Sequence, residues 1–285
     1  MRVKMTMCEW EKIGIERREL VMKRKIQMIV FVLCIAVFVL SAWKLYGIQS
    51  NYKEGDELYA SVEEEVITVL SDEEEESEVE ENTKNGENKK KKKNKKKKTP
   101  MISVDFATLK KKNPDIIAWL YIPYSDISYP LLQGSDNETY LHKAYDGQSS
   151  IFGSIFMDFR NHPDFSDPHT IIYGHNMKNG SMFGTLKQYC DASFYKKNKN
   201  FYVLTEDGTY QYLVFSYHVA DALGKVYTVF YEDEDAFQSY LNLVAQSSYL
   251  DTGVDVSTKD KVITLSTCTG DDDSRFVVHG VRVDS

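Results

Sequence analysis

Hydrophobic and polar positions divide the chain into three segments, and the first holds a continuous apolar run. Residues 26–43 read IQMIVFVLCIAVFVLSAW, 18 residues without a charge between Lys25 and Lys44. A helix that rises 1.5 Å per residue would span about 27 Å over this run, close to the hydrocarbon thickness of a bilayer. Together with the aromatic Tyr46 beyond it, the run predicts a transmembrane signal anchor over residues 26–46.

Basic residues precede the apolar run. Lys23-Arg24-Lys25 lie directly before it, and Arg17 and Arg18 lie one to two turns further back. Because positively charged flanks stay in the cytoplasm, residues 1–25 are predicted to be a cytoplasmic tail and the rest of the chain extracellular. A cleaved signal peptide is the alternative, although the run is long for one and no small-x-small cleavage site follows it cleanly.

The second segment consists of blocks of like charge. Residues 63–81 carry 11 acidic side chains, and residues 84–98 carry 10 lysines. Such blocks bury too little apolar surface to order themselves, which predicts a disordered linker over residues 47–100. The lysines fit either a solvated spacer or a contact with anionic wall polymer or lipid headgroups.

The third segment, residues 101–285, has the alternating and periodic patterns of a folded domain. The apolar spacing in Val104–Ile122 predicts two short helices, with Asn113 capping the second and Pro114 in its first turn. An amphipathic helix is predicted at Asp235–Gln246, where apolar residues recur at helical spacing. The remaining runs are rich in Val, Ile, Tyr, Phe and Thr and predict strands at Thr170–Tyr173, Phe201–Leu204, Thr209–Ala220, Lys225–Tyr231, Val262–Ser266 and Arg275–Val283. The pattern favours a mainly β, barrel-like fold with a few helices.

Charge and cysteine content exclude several functional classes. Residues 101–285 hold 15 Lys/Arg against 24 Asp/Glu, and an acidic domain argues against nucleic acid as a partner. Only Cys190 and Cys268 of the four cysteines lie in this domain, too few for a disulfide scaffold. No HxH or HExxH motif occurs, and the acidic runs lack the spacing of a calcium loop, so no metal site is predicted.

Three residues at predicted strand ends have the side chains that acyl transfer needs. Cys268 ends one strand, His175 follows another at a glycine turn, and Arg275 begins the strand after Cys268. If residues 269–274 form a hairpin-type loop, Cys268 and Arg275 face each other across its base. A thiolate can attack a carbonyl, an imidazole can hold and return the proton, and a guanidinium can stabilise the oxyanion. The residues alone leave open a buried structural cysteine, a Cys190–Cys268 disulfide and a structural histidine.

A family resemblance favours the catalytic interpretation. The run Thr264-Leu265-Ser266-Thr267-Cys268 resembles the TLxTC signature of the sortases, and Tyr173-Gly174-His175-Asn176 resembles their catalytic-histidine segment. Arg275-Phe276-Val277-Val278 is similar to their arginine strand. The stretch that ends in Ile117-Ala118-Trp119-Leu120 and the helix Asp235–Gln246, placed before Cys268, resemble class B of the family.

The resemblance implies an eight-stranded closed β-barrel and a cysteine transpeptidase that requires no metal or organic cofactor. Cys268 would be the nucleophile, His175 the general acid/base and Arg275 the oxyanion stabiliser. The implied partners are secreted proteins with a C-terminal sorting motif and an amine of a peptidoglycan precursor. Two alternatives stay open: a cell-wall or peptide cysteine hydrolase that uses the same Cys–His pair, and an anchored binding module without enzymatic activity.

Overall fold

The computed structural model describes residues 7–70 and 101–283. The chain divides into two compact units, Met1–Glu54 and Gly55–Ser285. A long helix, α1, covers Met7–Val66 and contributes residues to both units. In the first unit it contains the predicted anchor over residues 26–46, and by length and composition this helix is a candidate membrane span.

The structure corrects the prediction of a disordered linker for residues 47–70. Helix α1 continues to Val66, and strand β1, Ile67–Leu70, pairs antiparallel with strand β2, Met101–Val104. The side chains of Tyr59, Val62 and Val66 are buried in the second unit. Their helical spacing gives the segment an apolar face, which the acidic composition around it conceals. The folded domain therefore begins near residue 55, and residues 71–100 with their lysine run lie outside the described residues.

The second unit is built on a closed barrel of eight strands, as the family resemblance implied. Its order is β10-β8-β7-β3-β4-β5-β6-β9, with parallel pairing between β4 and β5 and between β6 and β9 and antiparallel pairing elsewhere. The strands are β3 Ile116–Tyr121, β4 Ser128–Leu132, β5 Ile155–Met157, β6 His169–Tyr173, β7 Asn200–Leu204, β8 Thr209–Asp221, β9 Val262–Cys268 and β10 Ser274–Val283.

Short helices cover the ends and one side of the barrel. They are α2 Phe106–Lys112, α3 Ala192–Lys197 and α4 Glu234–Gln246, with 3-10 turns at Thr139–Leu141, Leu186–Cys190 and Lys225–Tyr227. Helix α4 confirms the predicted amphipathic helix, and the Asp233 carboxylate caps it by accepting a hydrogen bond from the Ala236 N–H at 2.8 Å. Its apolar face packs against side chains of β8, β9 and β10, including Phe215, Val262 and Val277.

Two predicted elements are wrong. The second helix of Val104–Ile122 is the strand β3, and Asn113 caps the end of α2 instead, its N–H donating to the Leu109 carbonyl. Strand β3 lies between β4 and β7 and is buried along most of its length, so its apolar run has no clear period of two. The strand predicted at Lys225–Tyr231 is a 3-10 turn followed by irregular chain.

Candidate active site

Cys268 and Arg275 face each other across the β9–β10 hairpin, as the sequence predicted. The two residues are direct register partners, Cys268 ending β9 and Arg275 lying second in β10. Directly opposed residues of an antiparallel pair project from the same face of the sheet. The connecting loop is closed at its base, where Thr269 Oγ1 lies 2.5 Å from Ser274 Oγ. The thiol and the guanidinium therefore share one face at the end of the hairpin.

His175 reaches the same end of the barrel through strand β6, which runs parallel to β9. The last register pair joins Tyr173 to Ser266, and the Gly174 N–H then donates to the Ser266 carbonyl at 3.1 Å. Two residues beyond Tyr173 and Ser266 are His175 and Cys268. The next residue, Asn176, donates its side-chain N–H to the Cys268 carbonyl at 2.7 Å. The structure thus brings His175, Cys268 and Arg275 together, each of them half-buried.

One hydrogen bond sets the tautomer of the His175 ring. Its Nε2 lies 2.8 Å from the main-chain carbonyl oxygen of Leu141. A carbonyl oxygen only accepts, so Nε2 carries the hydrogen in this arrangement. In the neutral ring Nδ1 is then the nitrogen that can take up a proton. The Leu141 carbonyl also fixes the orientation of the ring.

The buried histidines of the domain are poorly suited to proton exchange with a substrate. His169, His218 and His279 are buried beneath α4, next to Thr264 and Ser216. Burial lowers the pKa of His169 and of His218 to about 4, and it holds the pKa of His279 well below its ordinary value. These rings are therefore neutral near pH 7.

Arg275 is held by main-chain carbonyls of the loop it follows. Its Nη1 donates to the carbonyl oxygens of Asp272 and Ser274, both at 2.9 Å, and lies 3.5 Å from that of Asp271. Within residues 7–70 and 101–283, no ion pair joins Arg275 to a carboxylate. The contacts fix the guanidinium without neutralising its charge, and they use Nη1 only. Nε and Nη2 thus provide further N–H donors.

Tyr227 joins the site, although the sequence analysis did not single it out. Its hydroxyl lies 2.8 Å from Ser266 Oγ. Its phenol also interacts electrostatically with Cys268 and Arg275. Burial raises the pKa of Tyr227 despite the hydrogen bond with Ser266, so the phenol is neutral near pH 7. The residue escaped notice because its segment was predicted to be an ordinary strand.

A buried carboxylate fixes the residue that stacks on Tyr227. The rings of Tyr173 and Tyr227 lie 6.3 Å apart at 16°, and the Tyr173 hydroxyl donates to Asp158 Oδ2 at 2.9 Å. Arg160 donates to both oxygens of Asp158, at 2.8 and 2.6 Å. Burial acts to raise the pKa of Asp158, but the hydrogen bonds from Arg160 and Tyr173 and the charge of Arg160 together leave it below its ordinary value. This network fixes the chain two residues before His175.

The cysteines of the domain are both free thiols. Cys190 lies exposed in a 3-10 turn and Cys268 is half-buried, so the alternative of a Cys190–Cys268 disulfide is wrong for this structure. Within the described ranges, no three His, Cys, Asp or Glu side chains cluster as a metal site would require.

The comparisons with known proteins agree with this arrangement. The model of the sortase domain matches residues 120–283, a span that includes all three candidate residues. The chain belongs to the sortase family. Among its relatives, sortase B of Listeria monocytogenes is 41% identical over 179 residues, which is 61% of this chain and 72% of that protein. Sortase B of Staphylococcus aureus is 35% identical over 163 residues, 57% of this chain and 67% of the relative.

Solved structures place this sortase in class B. The crystal structure of sortase B from B. anthracis in complex with AAEK1 superposes with a TM-score of 0.65 at 28% identity, over 83% of this chain and 99% of that one. The S. aureus sortase B–substrate complex superposes with a TM-score of 0.60 at 33% identity, over 63% of this chain and 84% of that one. Sortases are cysteine transpeptidases that anchor proteins to the cell wall, and this sortase is such an enzyme.

Proposed function

We propose that this enzyme cleaves a C-terminal sorting motif of secreted proteins and transfers the acyl group, through a thioester on Cys268, to an amine of a peptidoglycan precursor. One observation carries the proposal: the direct pairing of Cys268 with Arg275 at the strand end that His175 also reaches. A nucleophile, a proton carrier and a fixed cationic donor within one barrel end suffice for acyl transfer.

The first half of the reaction cleaves the peptide. The Cys268 thiolate attacks the scissile carbonyl carbon, and Arg275 stabilises the oxyanion that forms. The C–N bond then breaks as the His175 imidazolium gives its proton to the leaving amine. The acyl group stays on Cys268 as a thioester, and His175 is neutral.

The second half transfers the acyl group. An incoming amine gives a proton to His175 as its nitrogen attacks the thioester carbonyl, and Arg275 stabilises the second oxyanion. The C–S bond breaks, a new amide forms, and Cys268 leaves as a thiolate. These steps return the thiolate and the imidazolium to their starting forms.

A shallow groove includes Tyr227, whose hydroxyl contacts Ser266 two residues before Cys268. The chain that follows β8, including Tyr227, lines a cavity of about 550 Å³ together with Arg160. Leu223 and Phe230 line it and are 96% and 66% exposed. Exposed apolar side chains that line a groove are typical of a surface that binds a partner. We place the residues of the sorting motif before the scissile bond here.

Product analysis tests the proposed reaction. The enzyme is incubated with a panel of sorting-motif peptides, with and without an added amine, and the products are identified by mass spectrometry. We expect one peptide to be cleaved and its acyl fragment to appear joined to the amine. A free acid that forms at the same yield whether or not the amine is present would favour the hydrolase alternative.

The proposal extends to the membrane. Residues 26–46 would span the plasma membrane once, with residues 1–25 in the cytoplasm and the catalytic domain outside. The apolar helix α1 supports the span, and the basic flank before the apolar run supports the orientation. Protease added to intact protoplasts should remove the catalytic domain, and it should leave a cytoplasmic control protein whole. A catalytic domain that stays protected in intact protoplasts and is cut only after lysis would contradict the orientation.

A further inference from the structure

We propose that Asp56 and Tyr59, near the end of helix α1, position the loop that carries His175 for catalysis. The loop, residues 174–184, is called the histidine loop below, and residues 55–66 the support helix. The inference rests on the role proposed for His175. It assigns a function to a segment that lies outside the matched sortase domain of residues 120–283.

The support helix is packed tightly against the barrel. Val62 is fully buried, and Tyr59 is 5% exposed. At Gly55 the helix approaches the Phe152 ring so closely that an added Cβ would lie 2.1 Å from it. Only glycine permits this approach, and the next residue, Asp56, contacts Asn179 of the histidine loop.

Tyr59 and Tyr129 form the first link to the histidine loop. The Tyr59 hydroxyl donates to the Gly153 carbonyl at 2.7 Å, and its ring meets the Tyr129 ring edge-on, with centroids 5.4 Å apart. The Tyr129 hydroxyl in turn accepts a hydrogen bond from the Met182 N–H at 3.0 Å. Tyr59 of the support helix thus contacts the ring of Tyr129, whose hydroxyl holds the main chain of the loop at Met182.

Met182 is the point of the loop that most needs this support. Its φ is 53°, in the left-handed region that costs energy for a residue with a side chain, and its side chain is fully buried. It forms a bridge with Asn176, and the next residue, Phe183, donates its N–H to the His175 carbonyl at 2.9 Å. A shift at Met182 therefore moves the main chain of His175 directly.

A second link holds the tip of the loop. The side-chain N–H group of Asn179 donates to both carboxylate oxygens of Asp56, at 2.9 and 3.0 Å. The Asn179 side-chain oxygen, Oδ1, then accepts from the Ser181 hydroxyl at 2.7 Å. The loop is thus tied to the support helix near its tip and at Met182, while Asn176 ties it to the Cys268 carbonyl. Proton transfer depends on geometry within fractions of an ångström, so loosening these ties lowers kcat.

Two variants break the links one at a time in the full-length enzyme, assayed in detergent micelles. Tyr129→Phe removes the hydroxyl that accepts from Met182 but keeps the ring against Tyr59, and Asp56→Ala removes the acceptor of Asn179. We expect each variant to lower kcat about three- to tenfold, since each loses one hydrogen bond, with little change in KM. The alkaline limb of the pH profile of kcat should also shift, because the thiol and imidazole no longer keep the same distance.

Glu65→Ala is the matched control. It removes the ion pair between Glu65 and Lys112, at 2.7 Å, from the same helix without touching the histidine loop. We expect it to change the melting temperature slightly and to leave kcat and the pH profile unaltered. Asp56→Asn keeps an acceptor for Asn179 and should recover most of the activity that Asp56→Ala loses.

Either of two results would overturn the inference. One is kcat and a pH profile at the parent values in both Tyr129→Phe and Asp56→Ala. The other is an equal loss in Glu65→Ala, which would mean that the support helix acts only through overall stability. Failure of the proposed function is separate, since it would appear as full activity in a variant that lacks Cys268 or His175.

Discussion

Cys268→Ala is expected to abolish both cleavage of a sorting peptide and transfer of its acyl group. The substitution removes the sulfur that forms the thioester, and no neighbouring side chain can form an equivalent intermediate. Cys190→Ala should retain most of the activity. Cys190 lies largely exposed in the 3-10 turn Leu186–Cys190, and partial desolvation raises the pKa of its thiol.

The measurement is the rate of peptide cleavage in the three proteins, with the melting temperature as a control for folding. A small methanethiosulfonate reagent adds a second readout, because it should label Cys268 before Cys190. Loss of labelling in Cys268→Ala at an unchanged melting temperature would tie the reactive thiol to this position. A cleavage rate in Cys268→Ala equal to that of the parent would contradict the whole assignment.

The sequence predicted the parts of the fold that have a clear period. Helix α4 shows apolar residues at i, i+3, i+4 and i+7, and strands β9 and β10 are β-branched runs on either side of a polar loop. That loop also placed Cys268 opposite Arg275, since a short hairpin leaves few other registers. The closed barrel was expected from the family resemblance, because alternation within single strands does not say which strands pair.

Other parts of the fold could not be predicted from the sequence, because tertiary contacts determine them. The support helix has only a few buried residues, and acidic side chains surround them in the sequence. Its composition is therefore typical of a disordered segment. Strand β4 contains Pro130, and β5 is three residues long, so neither meets the length and composition expected of a strand. Tyr227 reaches the site only because an irregular segment after β8 passes over Ser266.

The parallel pairing of β6 with β9 could not be predicted from the sequence either. More than 90 residues separate His175 from Cys268, and local patterns do not show that the strands before them are neighbours. The pairing of Tyr173 with Ser266 is what brings the histidine to the thiol. Long-range pairing of this kind is set by the burial of both strands in one barrel.

Arg275→Lys is expected to fail nearly as badly as Arg275→Ala. Lysine keeps the positive charge but lacks the planar guanidinium. In arginine, one edge of that group can bind the loop carbonyls while the other edge donates to an oxyanion. In the structure Nη1 is committed to the carbonyls of Asp272 and Ser274, which fixes the plane of the guanidinium. A lysine ammonium at this position would have to leave those carbonyls or share its hydrogens with them.

The expected loss is about 10²–10³ in the rate of cleavage, equivalent to about 2.7–4 kcal/mol, the usual cost of removing one oxyanion donor. Arg282→Lys is the matched control on the same strand, because Arg282 lies over the Tyr210 ring at 3.7 Å, seven residues from Arg275. It should cost stability through the lost stacking and leave the rate of cleavage close to that of the parent.

The measurement compares kcat and melting temperature in Arg275→Lys, Arg275→Ala and Arg282→Lys. Near-normal turnover in Arg275→Lys would show that charge alone suffices and would remove the fixed N–H donors from the mechanism. A fall in the cleavage rate in Arg275→Ala but not in Arg275→Lys would likewise show that the positive charge alone suffices. If both Arg275 variants lose activity at an unchanged melting temperature, the geometry of the guanidinium carries the effect. The three carbonyls of the short loop then become part of the oxyanion site, because they hold the guanidinium in place.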